Sequence, residues 1–366
     1  MIPQTDPKAG YLAQKAEIDA SVAAVLARGA YILGPEVEAF EREFAAFTGA
    51  AFALGVASGT DAITLGLKAL GIGPGDGVAT VSHTATATVA GIEMAGATPV
   101  LVDVQPDSFG MDPAALERLL QAPPLPIRAV VPVHLYGRPA PIGEIMALAA
   151  RHGAVVLEDA SQAHGAAVDG RRVGGFGAAG AFSLYPTKNL GAIGDGGVLV
   201  FQDEAVAGRA RRLREYGWRR RFVAEEPGMN TRLDELQAAI LRVKLRRLDQ
   251  ANVRRSQIAR AYRQGLAGLP IELPSEAPGE TCVWHQFVIR TPGRDRLRAA
   301  LAEAGVGTAI HYPEPVHRQD AYAGRLPIGP GGLPVTERLA GEILSLLALA
   351  TLAAAAIWQR RRNPAA

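Results

Sequence analysis

The chain predicts an α/β protein: a large doubly wound α/β/α domain with a mainly parallel sheet over residues 1–250, then a smaller C-terminal α+β domain over 251–366. Three observations carry this reading. Short apolar runs alternate with helical periodicities from about residue 52 to residue 201, which is βαβ order. Hydrophobic residues make up 48% of the 366, enough to fill two cores. Beyond about residue 265 the chain becomes richer in Gly and Pro and its elements shorten, which marks a second body.

The elements follow in order. Residues 14–48 read as helical: Ile18, Val22, Val25 and Leu26 recur at helical spacing, Gly34-Pro35 interrupts, and Val37, Phe40, Phe44 and Phe47 resume the stripe. Phe52 to Ala57 reads as a strand entering a helix at Ala62 to Leu70. Between them, Ser58-Gly59-Thr60-Asp61 gathers free N–H groups at the positive end of a helix dipole, a site for an anion such as phosphate. The same residues also suit an ordinary N-cap. Strands are expected at Val78–Val81, Pro99–Val104 and Ala129–Val133, alternating with helices at Thr86–Met94, Pro113–Leu120 and Ile142–Arg151.

In such a sheet ligands bind beyond the carboxyl ends of the strands. Ala154 to Asp159 is a strand that ends on the acidic pair Glu158-Asp159, so Asp159 points into that crevice, where it could hold a protonated ring nitrogen; Gln162 follows on the same loop. Two further strands, Ala181–Leu184 and Val198–Phe201, are joined by a glycine-rich crossing that holds one lysine, Lys188. An amine among close-packed backbone and apolar groups is partly desolvated, which leaves it nucleophilic toward a carbonyl. A loop lysine taken alone is usually solvated; its company singles this one out.

Gly175-Phe-Gly177-Ala-Ala-Gly180 matches a dinucleotide fingerprint, but a strand follows it where a helix is required. These glycines read as a loop and not as a nicotinamide site. Seven arginines lie between Arg209 and Arg221. The first four suit a solvated helix face, whereas Arg219, Arg220 and Arg221 stand outside that helix and could clamp a substrate diphosphate, with Arg219 and Arg220 as the expected anchors. Thr231-Arg-Leu-Asp234 resembles a capping box opening a long helix that ends near Asp249. A strand at Val283–Ile289 and a helix at Asp295–Ala304 belong to the second domain, with His311, Tyr312 and His317 in its Pro-rich loop.

The net charge of +2 gives no field for nucleic acid or an anionic membrane. A single cysteine, Cys282, leaves no internal disulfide and no Cys-based metal cluster, and no metal site is expected. The N-terminus lacks the apolar core of a secretory signal, so a cytoplasmic location is expected. Ile343 to Trp358 is nearly all apolar but shorter than a membrane span; it reads as a packed terminal helix, with a surface anchor as the minor alternative.

Together the residues resemble the DegT/DnrJ/EryC1/StrS family, pyridoxal-phosphate-dependent aminotransferases of fold type I that aminate sugar nucleotides. The resemblance runs from about Leu33 to Tyr312-Pro. It rests on Ser58-Gly59-Thr60, Val133-His-Leu-Tyr-Gly137, Glu158-Asp-Ala-Ser-Gln-Ala-His-Gly165, Ser183-Leu-Tyr-Pro-Thr-Lys-Asn189 and Asn230-Thr-Arg-Leu-Asp-Glu-Leu-Gln237. It implies pyridoxal 5'-phosphate as cofactor, Lys188 as the Schiff-base lysine, Asp159 against the pyridinium nitrogen and Gln162 near the phenolic oxygen. Gly59, Thr60 and Ser183 would bind the phosphate, and Asn230 would reach the cofactor phosphate of the other subunit in a homodimer with shared sites. His311 and Tyr312 would lie near the sugar, and Tyr185, in the lysine motif, would join Arg219 and Arg220 on the substrate side. One departure stands in Ser82-His-Thr-Ala85, where the family's ring-stacking aromatic is alanine. Either His83 substitutes for it or the cofactor is held less tightly.

The expected activity is transfer of an amino group, with glutamate as donor, to a nucleotide-linked keto-deoxysugar. Resemblance favours the sugar's third carbon and a deoxythymidine diphosphate carrier. A 4-keto sugar nucleotide or a keto-cyclitol is the alternative substrate, and a non-catalytic sensor on the same fold is the alternative class.

Overall fold

The computed structural model describes residues 3–346. Two helices, α1 (Pro7–Leu12) and α2 (Lys15–Arg28), lead into α3 (Pro35–Thr48). The large sheet then forms from β1 (Phe52–Val56), β2 (Gly77–Val81), β3 (Thr98–Val102), β4 (Ile127–Val130) and β5 (Val155–Asp159). The helices α4 (Gly59–Ala69), α5 (Thr86–Met94), α6 (Pro113–Gln121) and α7 (Ile142–Arg151) alternate with these strands. A small hairpin, β6 (Ala167–Val168) and β7 (Arg171–Arg172), precedes β8 (Ala179–Ser183) and β9 (Gly197–Phe201).

The sheet order is β1-β9-β8-β5-β4-β2-β3. Only β9 runs against the rest, pairing antiparallel with β1 on one side and β8 on the other. Strands buried on both faces explain the continuous apolar runs. On β9, Leu199 and Phe201 pack with α4 and α8 (Glu204–Arg214), while Val198 and Val200 face Phe40 and Phe44 of α3 and Leu241 of α9 (Glu235–Leu245). Each fully buried Phe contributes about 2–3 kcal/mol by transfer from water.

The remainder comprises the exposed hairpin β10 (Trp218–Arg220) and β11 (Val223–Ala224), then α10 (Leu248–Gly265), β12 (Glu280–Thr281), β13 (Val288–Arg290), α11 (Arg294–Glu303), α12 (Pro334–Glu342) and β14 (Ile343–Ser345). Helix α10 runs through the position expected for the domain division, and β12 pairs back onto β6. Leu333, the residue preceding α12, makes no side-chain cap. Asp103, just beyond β3, supplies it from a distance: its carboxylate accepts the N–H groups of Val335 and Thr336, both at 2.9 Å.

Five expectations are corrected. Thr231 caps no helix; its hydroxyl donates to Asp61 at 2.8 Å and accepts from Ala57 N–H, and α9 starts at Glu235. That helix stops at Leu245 and a separate one begins at Leu248. Arg214 belongs to no solvated face: it is 7% exposed and donates to Glu41 at 2.7 Å and to the Gly55 carbonyl at 3.0 Å. The strand expected at Val283–Ile289 shrinks to β13, because Val283 and Gln286 direct their N–H groups to the carbonyls of Gly137 and Tyr136. Ile343–Ser345, expected to begin a terminal helix, is a strand antiparallel to β13; residues 347–358 of that apolar run lie outside the described residues. Among the described residues no helix is long and apolar enough to cross a membrane.

Candidate active site

The acidic pair that ends β5 divides by strand parity, successive side chains facing opposite ways. Glu158, fully buried, accepts N–H groups from Gly174 (2.7 Å), Phe176 (2.6 Å) and Gly177 (2.7 Å), and pairs with His134 Nε2 at 3.0 Å. The glycine-rich stretch that imitates a dinucleotide loop thus wraps the protein's own carboxylate. It is not all loop, since Gly180 lies in β8, where an added Cβ would stand 2.2 Å from the Gly174 carbonyl.

Asp159 turns to the other side. It is 4% exposed and accepts from the Thr88 hydroxyl at 2.8 Å and from Ser161 N–H at 3.1 Å. Lys188, half-buried on the crossing from β8 to β9, has its amine pushed down to about 8 by burial, while the negative charge of nearby Asp159 acts the opposite way. The two predicted groups are therefore together.

Ser58 does cap α4, accepting from Asp61 N–H at 3.0 Å. The first turn of that helix, Gly59 and Thr60, still presents N–H groups without intrahelical acceptors. A Cβ on Gly59 would stand 2.6 Å from that of Ser183, so glycine is what lets the helix end and the end of β8 form one cradle.

Gln162 is fixed from both ends: its carbonyl accepts Tyr136 N–H at 2.8 Å and its amide donates to the Tyr312 hydroxyl at 3.1 Å. Tyr136, in left-handed backbone at φ 59°, sends its hydroxyl to the His311 carbonyl and lies 2.9 Å from His83 Nε2. His83 is buried and pushed down to about 4 by desolvation, its ring 5.9 Å from that of Phe109. His311 binds Ser345 at 2.9 Å and is lowered by burial and then by Lys188. His317, by contrast, is occupied by Ser82 at 2.8 Å and Glu337 at 3.2 Å.

Tyr185 (53% exposed), Arg219, Arg220 and Asn230 stand at the surface of the single chain. Sequence reasoning missed Thr88, His164 and His285. The threonines of Thr84-Ala-Thr-Ala-Thr88 before and within α5 were a usable signal for Thr88. His164, which carries no exposed surface, is pushed down to about 3, first by burial and then by the charge of Lys188. Nothing in its local sequence marked His285.

A burial-depressed lysine beside a buried carboxylate, with an anion cradle at a helix start on a doubly wound sheet, defines a pyridoxal-phosphate enzyme of fold type I. The residues fit that cofactor: the cradle suits its phosphate, Lys188 its aldehyde and Asp159 its ring nitrogen. The chain belongs to the DegT/DnrJ/EryC1/StrS aminotransferase family, whose profile it matches over residues 13–359. It is 49% identical over 346 residues to the dTDP-3-amino-3,4,6-trideoxy-alpha-D-glucose transaminase of Streptomyces venezuelae, covering 94% of this chain and 90% of that one. It is also 49% identical to the erythromycin biosynthesis sensory transduction protein EryC1 of Saccharopolyspora erythraea, with 94% and 93% covered. Among solved structures, S. venezuelae DesV superposes with a TM-score of 0.92 at 48% identity over 99% of this chain and 98% of that one. NtdA of Bacillus subtilis, with bound cofactor PMP, gives 0.85 at 30% identity, covering 94% and 80%.

Proposed function

We propose that this aminotransferase moves an amino group from glutamate to the third carbon of a keto-deoxyhexose carried on deoxythymidine diphosphate. The observation that carries the reading is the Lys188 amine, held near 8 by burial and beside Asp159, on the crossing that leaves β8 at Ser183, the residue that Gly59 approaches. The third carbon and the dTDP carrier rest on the activity for which the 49% identical S. venezuelae relative is named.

Pyridoxal phosphate, when bound, supplies an aldehyde that condenses with amines and a ring that accepts electron density from the carbon losing its proton. Lys188, its free amine pushed down to about 8 by burial, would hold the cofactor and would serve as the base and acid that carry that proton. Asp159, held by the Thr88 hydroxyl at 2.8 Å, would set its carboxylate against the cofactor's ring nitrogen and hold the proton there. Gln162, locked between Tyr136 and Tyr312, offers its amide to the phenolic oxygen. Gly59, Thr60 and Ser183 take the phosphate.

A second copy of the chain completes the site. Asn230, Tyr185, Arg219 and Arg220 are at the surface, and the large exposed aromatics Tyr216 (41%) and Phe222 (73%) flank the arginines, which suits a homodimer in which these groups serve the partner's cofactor and a substrate diphosphate. Mass spectrometry of products from 3-keto and 4-keto sugar nucleotides and keto-cyclitols, each with glutamate, tests the reading. A mass gain on the 3-keto dTDP sugar is expected. Preferential amination of the 4-keto isomer would overturn the regiochemistry, and no amination of any substrate would favour a sensor.

A further inference from the structure

Beneath the Lys188 loop lies a buried polar chain that the mechanism above does not use. Asn189 donates its amide to Asn252 Oδ1 of α10 at 3.0 Å and to the Val283 carbonyl at 2.9 Å. Asn252, 8% exposed, donates onward to the His164 carbonyl at 2.8 Å. A carbonyl can only accept, so both amide orientations follow: the nitrogen of Asn189 faces Asn252 and Val283, and its oxygen faces His285 Nδ1 at 3.2 Å. An amide oxygen also only accepts. His285 must therefore carry a proton on Nδ1, and in its neutral form Nε2 is bare.

We propose that Asn189, clamped between Asn252 and His285, is a positioning residue that presses the Lys188 loop against the protein and keeps water from the lysine amine. Three stretches remote in sequence meet in this clamp: the lysine loop, helix α10 and residues 283–285. Arg255 braces the last of these by donating to the Trp284 carbonyl at 3.1 Å. The approach is close, since a Cβ on Gly165 would stand 2.8 Å from the Asn252 amide nitrogen.

Electrostatics agrees. His285 is held neutral, well below the usual range, first by burial and then by the charges of Lys188, Arg255, His311 and His164. Lys188 in turn faces Asp159, and its depression is a burial effect that a loosened loop would relieve. The significance of the clamp rests on Lys188 being the cofactor lysine, yet its test uses neither cofactor nor substrate, so failure of one does not entail failure of the other.

In the wild-type full-length chain, nitrogen NMR of labelled histidine should show His285 as the Nδ1–H tautomer from about pH 6 to about pH 9. An Nε2–H tautomer or an imidazolium there would overturn the proposal without any variant having to fold. Next, Lys188 acetylation by acetic anhydride is followed across pH by peptide mass spectrometry on cofactor-stripped protein. The wild-type midpoint is expected near 8. His285→Leu and Asn252→Ala, each checked for native circular dichroism, should raise it by about one unit or more toward the ordinary value. His285→Asn, whose amide N–H takes the place of Nδ1–H, should restore the wild-type midpoint. Unchanged midpoints in folded His285→Leu and Asn252→Ala would mean that the chain only braces the fold, and the proposal would fail.

Discussion

Replacing Glu158 with glutamine changes one atom of a buried carboxylate, and the geometry sets the cost. One oxygen serves Gly174 N–H and His134 Nε2; the other serves the N–H groups of Phe176 and Gly177. His134 accepts Ala140 N–H on Nδ1 at 2.9 Å, so its proton is on Nε2 and all four partners are donors. The amide of Glu158→Gln can satisfy one pair, and its NH2 then confronts the other. Two buried donors go unsatisfied at about 1–3 kcal/mol each, so a loss of about 4 kcal/mol is expected. Switching the His134 tautomer relieves nothing, because Ala140 N–H then loses its acceptor. Urea denaturation should show a lower midpoint at unchanged slope, and hydrogen exchange should show lost protection at Gly174, Phe176 and Gly177. A loss below about 1 kcal/mol with protection intact would refute the carboxylate's role as keystone of that loop.

Four further outcomes are expected. Lys188→Ala should prevent borohydride from trapping pyridoxal phosphate on the chain and should abolish turnover, whereas Asp159→Asn should keep the cofactor and lose activity by orders of magnitude; near-wild-type rates in either would displace the assignment. His83, neutral in the fold with its affinity for a proton lowered to about 4, cannot follow the unfolded chain when that chain binds a proton below 6.5. Stability is therefore lost as pH falls from 6.5 toward 4, by about 3 kcal/mol for this residue, and His83→Asn should flatten that slope in urea melts across pH. Charge reversal at Arg219 and Arg220 should raise the Michaelis constant for the sugar nucleotide far more than for glutamate, increasingly so at low salt; equal effects on both would remove them from the diphosphate.

Much of the sheet was legible because its signals are local. Seven apolar runs became seven strands, and the helices Thr86–Met94 and Ile142–Arg151 have their expected bounds. Lys188 and Asp159 stood out because a glycine-rich crossing and a strand's acidic end are written in neighbouring residues. What failed depends on partners remote in sequence. Thr231 looks like a cap until Asp61 claims its hydroxyl, and Arg214 looks solvated until Glu41 arrives from 173 positions away. The run Val283–Phe287 has strand chemistry, but its N–H groups are taken by the Tyr136–Gly137 turn, whose carbonyls no periodicity could place. His285 was illegible for the same reason, its meaning lying in Asn189, 96 residues earlier.

The carboxylate of Asp103 at the start of α12 bears on how the molecule holds together as it unfolds. A nine-residue helix with no cap of its own has little independent stability, and this one finds its missing acceptor only when docked on the end of β3. The C-terminal elements therefore owe part of their order to the large sheet, and the sheet's edge strand in turn bridges Ile328 through Leu101. A chain severed near residue 250 is expected not to yield two excisable modules: the released segment would carry a frayed helix start, and on β3 the N–H and carbonyl of Leu101 would lose Pro327 and Gly329. Cooperativity is expected to cross the line that composition draws, and thermal unfolding should register one transition where the sequence suggests two.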